Sequence, residues 1–430
     1  MIDIKLIREH PEIVKENIKK KFQNQKLILV DKIREFDDEW RALKYKEDNL
    51  RSERNKISQE INELKKAGKN VKNELKKAKE IPEEIEKVLI QRKKLEDDVY
   101  NISLQIPNII DKSVPIGKDA SENKVAKVFG KPAKLGFEAK GHAELGEKLG
   151  ILDFDSSANI SGKGFYVLKN ELALLNMALI NFARNFMIKK GFEYIEPPLM
   201  LREEILRGVY SKNEIDQMSY KIEGEDLYLI ATSEHPLIGM FINKTLTSKN
   251  IPVKQTAYSM CFRKEIGSHG IDEKGVYRTH QFNKQEMIVI CEPSESSKWY
   301  DEMMKMSVEL FKELEFPFRI LEICSGDLGD LKTKQCDFEA WSPKRKEYFE
   351  ITSLSNMGDA QARRLGIRID NGKERYFAHT LNNTVIATSR IMVAILENFQ
   401  QKDGSIKIPK ALWPYTKFKV IGSIEKKNKK

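Results

Sequence analysis

Residues 261–287, CFRKEIGSHGIDEKGVYRTHQFNKQEM, decide how the chain is read. Two runs with strand character flank a loop rich in glycine and charge. Side chains two apart on a strand share a face, so Arg263 and Glu265 lie together, as do Arg278, His280, Phe282 and Glu286. Paired as a hairpin, the runs put two arginines, two carboxylates and an aromatic ring on one face of a sheet. The flanking VKQTAYSM and MIVI place these strands in a domain core. Buried charges must be paired or must bind something.

Outward from the hairpin, NELALLNMALINFARNFMIKKG reads as a helix and FEYIEPPLM as a strand stopped by Pro197 and Pro198. Further strands are expected at LYLIATSE (227–234) and KEYFEITSLSN (346–356), and a last apolar helix begins near Ile386. Hairpin-joined strands with helices between and after them indicate an α+β fold, an antiparallel β-sheet flanked by helices. Neither GxGxxG nor GxxxxGK[ST] occurs, so any nucleotide site is of neither the dinucleotide-fold nor the P-loop kind.

The N-terminal quarter is different. From 29 to 64 the apolar residues recur in steps of four, three and seven, with only Glu47 and Arg54 polar in the seam. After the turn signal KKAGKN a second series runs from Val71 to Ile106, interrupted by Arg92, with Pro82 expected to kink it or begin a new helix. The two helices make an antiparallel coiled-coil arm about 50 to 60 Å long. Its tip carries Lys65, Lys66, Lys69, Lys72, Lys76, Lys77 and Lys79 against one acid, Glu74. Such an end suits phosphates beyond the body of the protein; a solvated tip or an oligomerisation coil is the plainer alternative. The expected division is 1–110 with the arm at 29–106, a polar linker 111–134 opened by IPNIIDKSVPIGKD, and a globular domain 135–430.

Lys plus Arg outnumber Asp plus Glu 75 to 65 in 430 residues, a net charge of +10, which fits a polyanionic partner and also many basic enzymes. The charged N-terminus has no signal-peptide core, and no apolar run is long enough to span a bilayer. A soluble cytoplasmic protein with no membrane association is expected. Cys261, Cys291, Cys324 and Cys336 are scattered without a CxxC pair, which points to core thiols, with neither zinc nor disulfides expected.

Two further stretches put polar residues in apolar settings: YFEITSLSNMGDAQARR (348–364) and HTLNNTVIATSRIMVAILENFQ (379–400). Arg390 interrupts a helix otherwise apolar enough for burial. Singly, each arginine fits a structural ion pair. Together with Glu350 and Ser353 they fit a polyphosphate and metal site, with guanidinium groups on phosphates and a carboxylate on Mg²⁺.

Taken in order, these motifs resemble the class II aminoacyl-tRNA synthetases, and within them the seryl-tRNA synthetases of the ordinary type, over essentially the whole chain. GFEYIEPP is similar to motif 1, FRKE with GVYRTHQFNKQE to motif 2, LNNTVIATSR to motif 3, TSEHPL (232–237) to the serine-site segment, and the arm to the family's helical arm. The resemblance implies ATP and L-serine as substrates, with Mg²⁺. Arg263, Arg390 and Glu350 would be catalytic. ATP would be bound by Arg263, Lys264, Glu265, Arg278, Thr279, Phe282, Glu350, Ile351, Thr352, Ser353 and Arg390. Among them, Glu265 would read the adenine amino group, Phe282 and Arg390 would cover the ring, and Arg278 would meet the β- and γ-phosphates. Glu350 and Ser353 would be the Mg²⁺ ligands. Serine would sit among Thr232, Ser233, Glu234, Arg263, Glu286, Asn382 and Thr384, with the division of ammonium and hydroxyl between the two glutamates left open. The family further implies a homodimer, tRNA(Ser) as partner with tRNA(Sec) where present, and recognition of the tRNA by the arm, whose basic tip would carry Lys65, Lys66, Lys69, Lys72, Lys76 and Lys77.

The chain departs from the family pattern at NNTV, where NGSG is common, at Gly164 in SGKGFY, where an arginine is common, and at Met357, where a cysteine is frequent. The TLNNTVIATSR form is closer to archaeal members. Two rivals remain in view: an amino-acid:carrier-protein ligase, which lacks the arm and typically holds zinc, and a non-catalytic RNA-binding paralogue, expected to lose some of Arg263, Glu286, Glu350 or Arg390.

Overall fold

The computed structural model describes residues 1–132, 134–210, 212–265 and 275–422, with backbone alone at 212 and 213. The glycine-rich loop within the opening stretch and the basic end of the chain lie outside the described residues. The chain divides into two compact units, Met1–Ile109 and Ile110–Lys430.

In the first unit, helices Leu27–Lys66 and Lys72–Ser103 form the expected hairpin, 40 and 32 residues long, or about 60 and 48 Å at the helical rise. Ile33, Leu50, Ile57 and Ile61 of one helix and Ile81, Ile85, Val88 and Ile102 of the other are buried, as the apolar series requires. Two of the three polar interruptions meet: Arg92 Nη1 lies 2.5 Å from Glu47 Oε2, and Arg51 Nε donates to Glu47 Oε1 at 2.8 Å, whereas Arg54, also counted in the seam, is exposed. At the base, short helices Ile4–Glu9 and Pro11–Lys20 place Ile7, Val14 and Ile18 against Val30, Ile33 and Ile106. Arg8 grips Asp37 there through two 2.8 Å bonds.

Two expectations need correction in this unit. No new helix begins at Pro82, which lies inside a single helix. Proline removes one N–H from the ladder, but Pro82 faces solvent, where water can take the freed carbonyl, while Ile81 and Ile85 stay anchored in the seam. Leu75, counted in the seam, is exposed. The lysines of the tip are all exposed.

The second unit is built on strands β1 (Lys124–Phe129), β2 (Glu193–Ile195), β3 (Val253–Phe262), β4 (Gln281–Cys291), β5 (Phe318–Glu322), β6 (Lys334–Ser342), β7 (Glu347–Gly358) and β8 (His379–Ala387). They order as β1-β5-β6-β7-β8-β4-β3-β2. Every pairing is antiparallel except β2 with β3. β4 explains the continuous apolar run MIVIC: it is central and covered on both sides. Met287 and Val289 face helices Asn170–Lys189, Ser296–Glu313 and Thr388–Asn398, with Leu175, Leu179, Phe311, Met392 and Ile395 in one core. Ile288 and Ile290 face Leu237, Ile238, Ala362 and Leu365 in another. Each such side chain contributes roughly 1.5–3 kcal/mol of burial, so this strand is the fixed beam from which Phe282, Lys284 and Glu286 project.

The structure differs from the linker expected over 111–134, because Lys124–Phe129 pairs with Phe318–Glu322 at the sheet edge. An exposed edge strand holds its place through backbone bonds and needs no apolar alternation, so KVAKVF reads as polar linker. The strands of the opening hairpin are also shorter than expected. β3 ends at Phe262 and β4 begins at Gln281, leaving Arg263, Glu265, Arg278 and His280 beyond the strand ends, with one more backbone bond from the Arg263 N–H to the His280 carbonyl at 2.9 Å.

Candidate active site

Just past the paired ends of β3 and β4 opens a cleft of about 420 Å³, into which β6, β7, β8 and the last apolar helix also send side chains. Two sets of groups line it. The first is acidic and tightly bonded. Glu286 on β4 receives Oγ1 hydrogen bonds from Thr232 at 3.1 Å and from Thr384 on β8 at 3.0 Å, and is ion-paired to Lys284. Its other oxygen, Oε2, is buried without a hydrogen-bond partner among the described residues. Glu234, opening helix Glu234–Gly239, accepts from Asn382 Nδ2 at 2.9 Å and Gln361 Nε2 at 2.8 Å. Burial, and then the charge of Glu286, push the Glu234 carboxyl above the usual range.

The second set is built around arginines. Arg263 donates from Nε to the Ala231 carbonyl at 3.3 Å and lies 5.2 Å from the centre of the Phe282 ring. Arg278 approaches Glu265 at 3.7 Å, and Glu265 holds a φ of +48°, an uncommon backbone state outside glycine. Arg390 pairs with Glu350 at 2.9 Å and rests over Tyr277, 4.8 Å from its ring centre. Burial would raise the Glu350 carboxyl, but the charge and hydrogen bond of Arg390, with the charges of Lys332 and Arg263, together outweigh it, and the carboxyl titrates below its ordinary value. Asp337 on β6 goes the other way, pushed up to about 7 by burial and by the charge of Glu350.

Of the residues singled out in the sequence, Arg263, Glu265, Arg278, Thr279, Phe282, Glu350, Ile351, Thr352, Ser353 and Arg390 line this cleft, as do Thr232, Glu234, Glu286, Asn382 and Thr384. Lys264 and Ser233 do not. The Lys264 ammonium donates to the Asp216 carbonyl at 3.0 Å, and the Ser233 hydroxyl donates to the Ala257 carbonyl at 2.9 Å in full burial. His280, expected on the charged face, turns to Tyr220 Oη at 3.1 Å and the Arg263 carbonyl at 3.0 Å. Alternation fails there because His280 precedes the strand. Gly164 has its own reason: at φ +82°, a Cβ would stand 2.5 Å from the His280 ring, whose backbone N–H donates to the Gly164 carbonyl at 2.9 Å.

Lys284, Tyr277, Lys332, Gln335, Asp337 and Gln361 also line the cleft and were not anticipated. For Lys284 the signal was present, since it shares strand parity with Phe282 and Glu286. Asp337 sits in KQCDFEAWS, where apolar Cys336, Phe338 and Ala340 alternate with polar neighbours, so a strand with Asp337 on its polar face was legible. Lys332 and Gln361 come from a loop and a short helix, and nothing local marks them.

The donor set suits a hard divalent cation. Glu350, Asp337 and Ser353 bring oxygen atoms to one wall, Asp337 and Ser353 being directly paired across β6 and β7, and oxygen donors are what such a cation takes.

Comparison with known proteins bears on the whole chain. Residues 1–110 match the seryl-tRNA synthetase N-terminal domain, and 218–399 match the class II tRNA synthetase core domain (G, H, P, S and T). The serine–tRNA ligase of Pyrococcus furiosus is 45% identical over 451 residues, covering 99% of both chains. That of Methanocella arvoryzae is 42% identical over 418 residues, covering 96% of this chain and 98% of its own. The crystal structure of seryl-tRNA synthetase from Pyrococcus horikoshii complexed with ATP superposes with a TM-score of 0.94 at 42% identity, covering 98% of this chain and 99% of that one. The cytoplasmic serine–tRNA ligase of Naegleria fowleri, in complex with AMP, gives 0.89 at 32% identity, covering 98% of each chain. With an arm, a class II sheet and full-length likeness all in agreement, the chain belongs to the seryl-tRNA synthetases, the class II ligases that join serine to tRNA.

Proposed function

We propose that the cleft activates L-serine with ATP and that the same site then passes serine to the 3′ end of tRNA(Ser), and of tRNA(Sec) where that is present. The observation that carries this is the joining, in one cleft, of an acid pair socketed by hydroxyl and amide groups with three arginines.

In the first step a serine carboxylate oxygen attacks the α-phosphorus, the bond to the bridging oxygen breaks, and pyrophosphate leaves. Two anions have to meet, and Arg263 supplies the charge between them; catalysis of this kind is positioning and electrostatics. Phe282 offers a face for adenine, and Glu265 is placed to accept from its amino group. Arg278 meets the outer phosphates. Arg390 covers the ring from the other side and reaches the γ-phosphate after exchanging its present contacts with Glu350 and Tyr277. Mg²⁺ held by Glu350 and Ser353, with Asp337 beside them, would spread the negative charge of the leaving pyrophosphate.

Serine is chosen by the acid pair. A site built to bond the hydroxyl rejects alanine by leaving buried polar groups unmatched. Thr232 and Thr384 already bond one oxygen of Glu286, and the rejection of threonine falls to the space around its methyl. The alternative ligase and the non-catalytic paralogue are not favoured, since the arm is present and Arg263, Glu286, Glu350 and Arg390 all line one cleft.

The exposed lysines of the arm tip bind tRNA phosphates, and the active form is a symmetric homodimer. Deleting 29–106 is expected to leave seryl-adenylate formation largely intact and to cripple tRNA charging; equal charging by the shortened chain would remove the arm from tRNA recognition. Sedimentation at working concentration should give a dimer, and a monomer there would contradict the assembly.

A further inference from the structure

Behind the arginine wall lies a buried polar chain that the chemistry above does not use. His142 begins helix His142–Lys148, and Glu397 stands near the end of Thr388–Asn398, the helix that carries Arg390. Both are almost wholly buried. Glu397 Oε1 meets the backbone N–H of His142 at 3.2 Å and His142 Nδ1 at 3.1 Å. Its Oε2 accepts from Ser342 Oγ at 2.5 Å, and that hydroxyl in turn accepts from the Arg345 N–H at 3.1 Å. On the far side of the imidazole, Nε2 lies 3.3 Å from the backbone nitrogen of Val276, itself buried. Gly275 has no Cβ to obstruct this approach; one built there would fall 2.7 Å from Nε2.

The bonding fixes the tautomer. A carboxylate accepts only, and burial acting to raise Glu397 is outweighed by its bonds to His142 and Ser342, which hold it ionised. Nδ1 therefore carries the proton and donates to Glu397, which leaves the Nε2 lone pair to accept from the Val276 N–H. Val276 immediately precedes Tyr277, Arg278 and Thr279, which line the cleft. Tyr277 is also clasped between Arg390 at 4.8 Å and Arg345 at 5.3 Å. One imidazole thus ties the helix bearing Arg390 to the backbone of the segment bearing Arg278.

We propose that His142 is a positioning residue for ATP: through Nε2 and the Val276 amide it holds the Tyr277–Arg278–Thr279 wall in register with Arg390. It touches no substrate. The proposal rests on the ATP assignment above, and its test separates the two. In His142→Asn the amide can replace Nδ1 toward Glu397 but cannot reach Val276. In His142→Gln the amide oxygen falls near the place of Nε2. Serine-dependent ATP/pyrophosphate exchange by the full-length protein should show the KM for ATP raised about tenfold in His142→Asn, the loss of one buried hydrogen bond. The KM for serine should stay within about twofold, and His142→Gln should recover most of the loss. Amide hydrogen exchange at Val276 should quicken in His142→Asn and slow again in His142→Gln. An unchanged KM for ATP with an unchanged Val276 amide overturns the proposal, and so does an equal rise in both KM values without rescue, the mark of a merely structural histidine. If the unmodified chain exchanges no pyrophosphate, the ATP assignment fails and the Val276 amide alone judges the tether. Should His142→Asn not fold, ¹⁵N-histidine spectra of the unmodified protein decide: a protonated Nδ1 with bare Nε2 at neutral pH is expected, and the opposite tautomer contradicts the tether.

Discussion

The arm and the cleft both place charge among apolar side chains, and they resolve it in opposite ways. In the arm, Glu47 interrupts one seam and Arg92 the other, and the two close on each other with Arg51 completing the pair. The base repeats this with Arg8 and Asp37. In the cleft, Glu286 keeps a buried oxygen with no hydrogen-bond partner among the described residues, Glu234 and Asp337 are raised by burial and then by neighbouring carboxylates, and Arg263, Arg278 and Arg390 border open space. Charge that is settled internally is architecture; charge held in tension around a cavity is prepared for a ligand.

That contrast can be broken by mutation. Arg263→Ala should lower pyrophosphate exchange about 10²- to 10³-fold, the usual loss when one preorganised electrostatic donor is removed, with little change in thermal unfolding. A large fall in unfolding temperature with modest loss of exchange would move Arg263 into the architectural class. Glu286→Gln should raise the KM for serine about 30-fold, as expected for a buried charged hydrogen bond, and leave the KM for ATP nearly unchanged. Parallel shifts in both constants would deny Glu286 to serine.

The arm should behave in reverse. Glu47→Ala takes the acid from Arg51 and leaves Arg92 only the more distant Glu96 at 3.8 Å, and should cost about 2 kcal/mol in unfolding free energy, while exchange is untouched. Replacing both Glu47 and Arg92 with leucine should return stability to within about 1 kcal/mol, because a well-packed apolar pair can stand in for an ion pair. Failure of the double variant to recover would mean the pair does more than fill the seam.

The smallest effect is expected at Asp37. The Arg8 guanidinium holds its carboxyl below the ordinary range, even against burial. An unfolded aspartate titrates near about 3.9, so the stabilisation is complete above that pH and fades as pH falls through the lower folded value. Asp37→Asn should cost about 1 kcal/mol at neutral pH, with the difference closing below about pH 4. A difference that persists in acid would locate the effect in packing.

The same contrast explains how far the sequence could be read. The arm was legible because heptad spacing is local, and even its polar breaks were visible, though not that Glu47 and Arg92 face each other while Arg54 turns to solvent. Its errors came from single positions, Pro82 and Leu75, where solvent relieved a rule or the seam had already ended. The sheet was legible where strands are buried, as in MIVIC, and illegible at the edge, where KVAKVF pairs by backbone alone. In the cleft, residues on paired strands followed parity, which reached Phe282 and Glu286 and would have reached Lys284. Parity gave no purchase on His280 or Lys264, which lie past the strand ends, nor on Lys332 and Gln361, brought in by tertiary packing.

The most direct test of the central claim is ATP/pyrophosphate exchange with Mg²⁺ and no tRNA, run with serine, threonine, alanine and glycine side by side. The cleft as described predicts strong exchange with serine and little with the others. Absence of exchange with every amino acid from folded protein, or exchange indifferent to the hydroxyl, would contradict it.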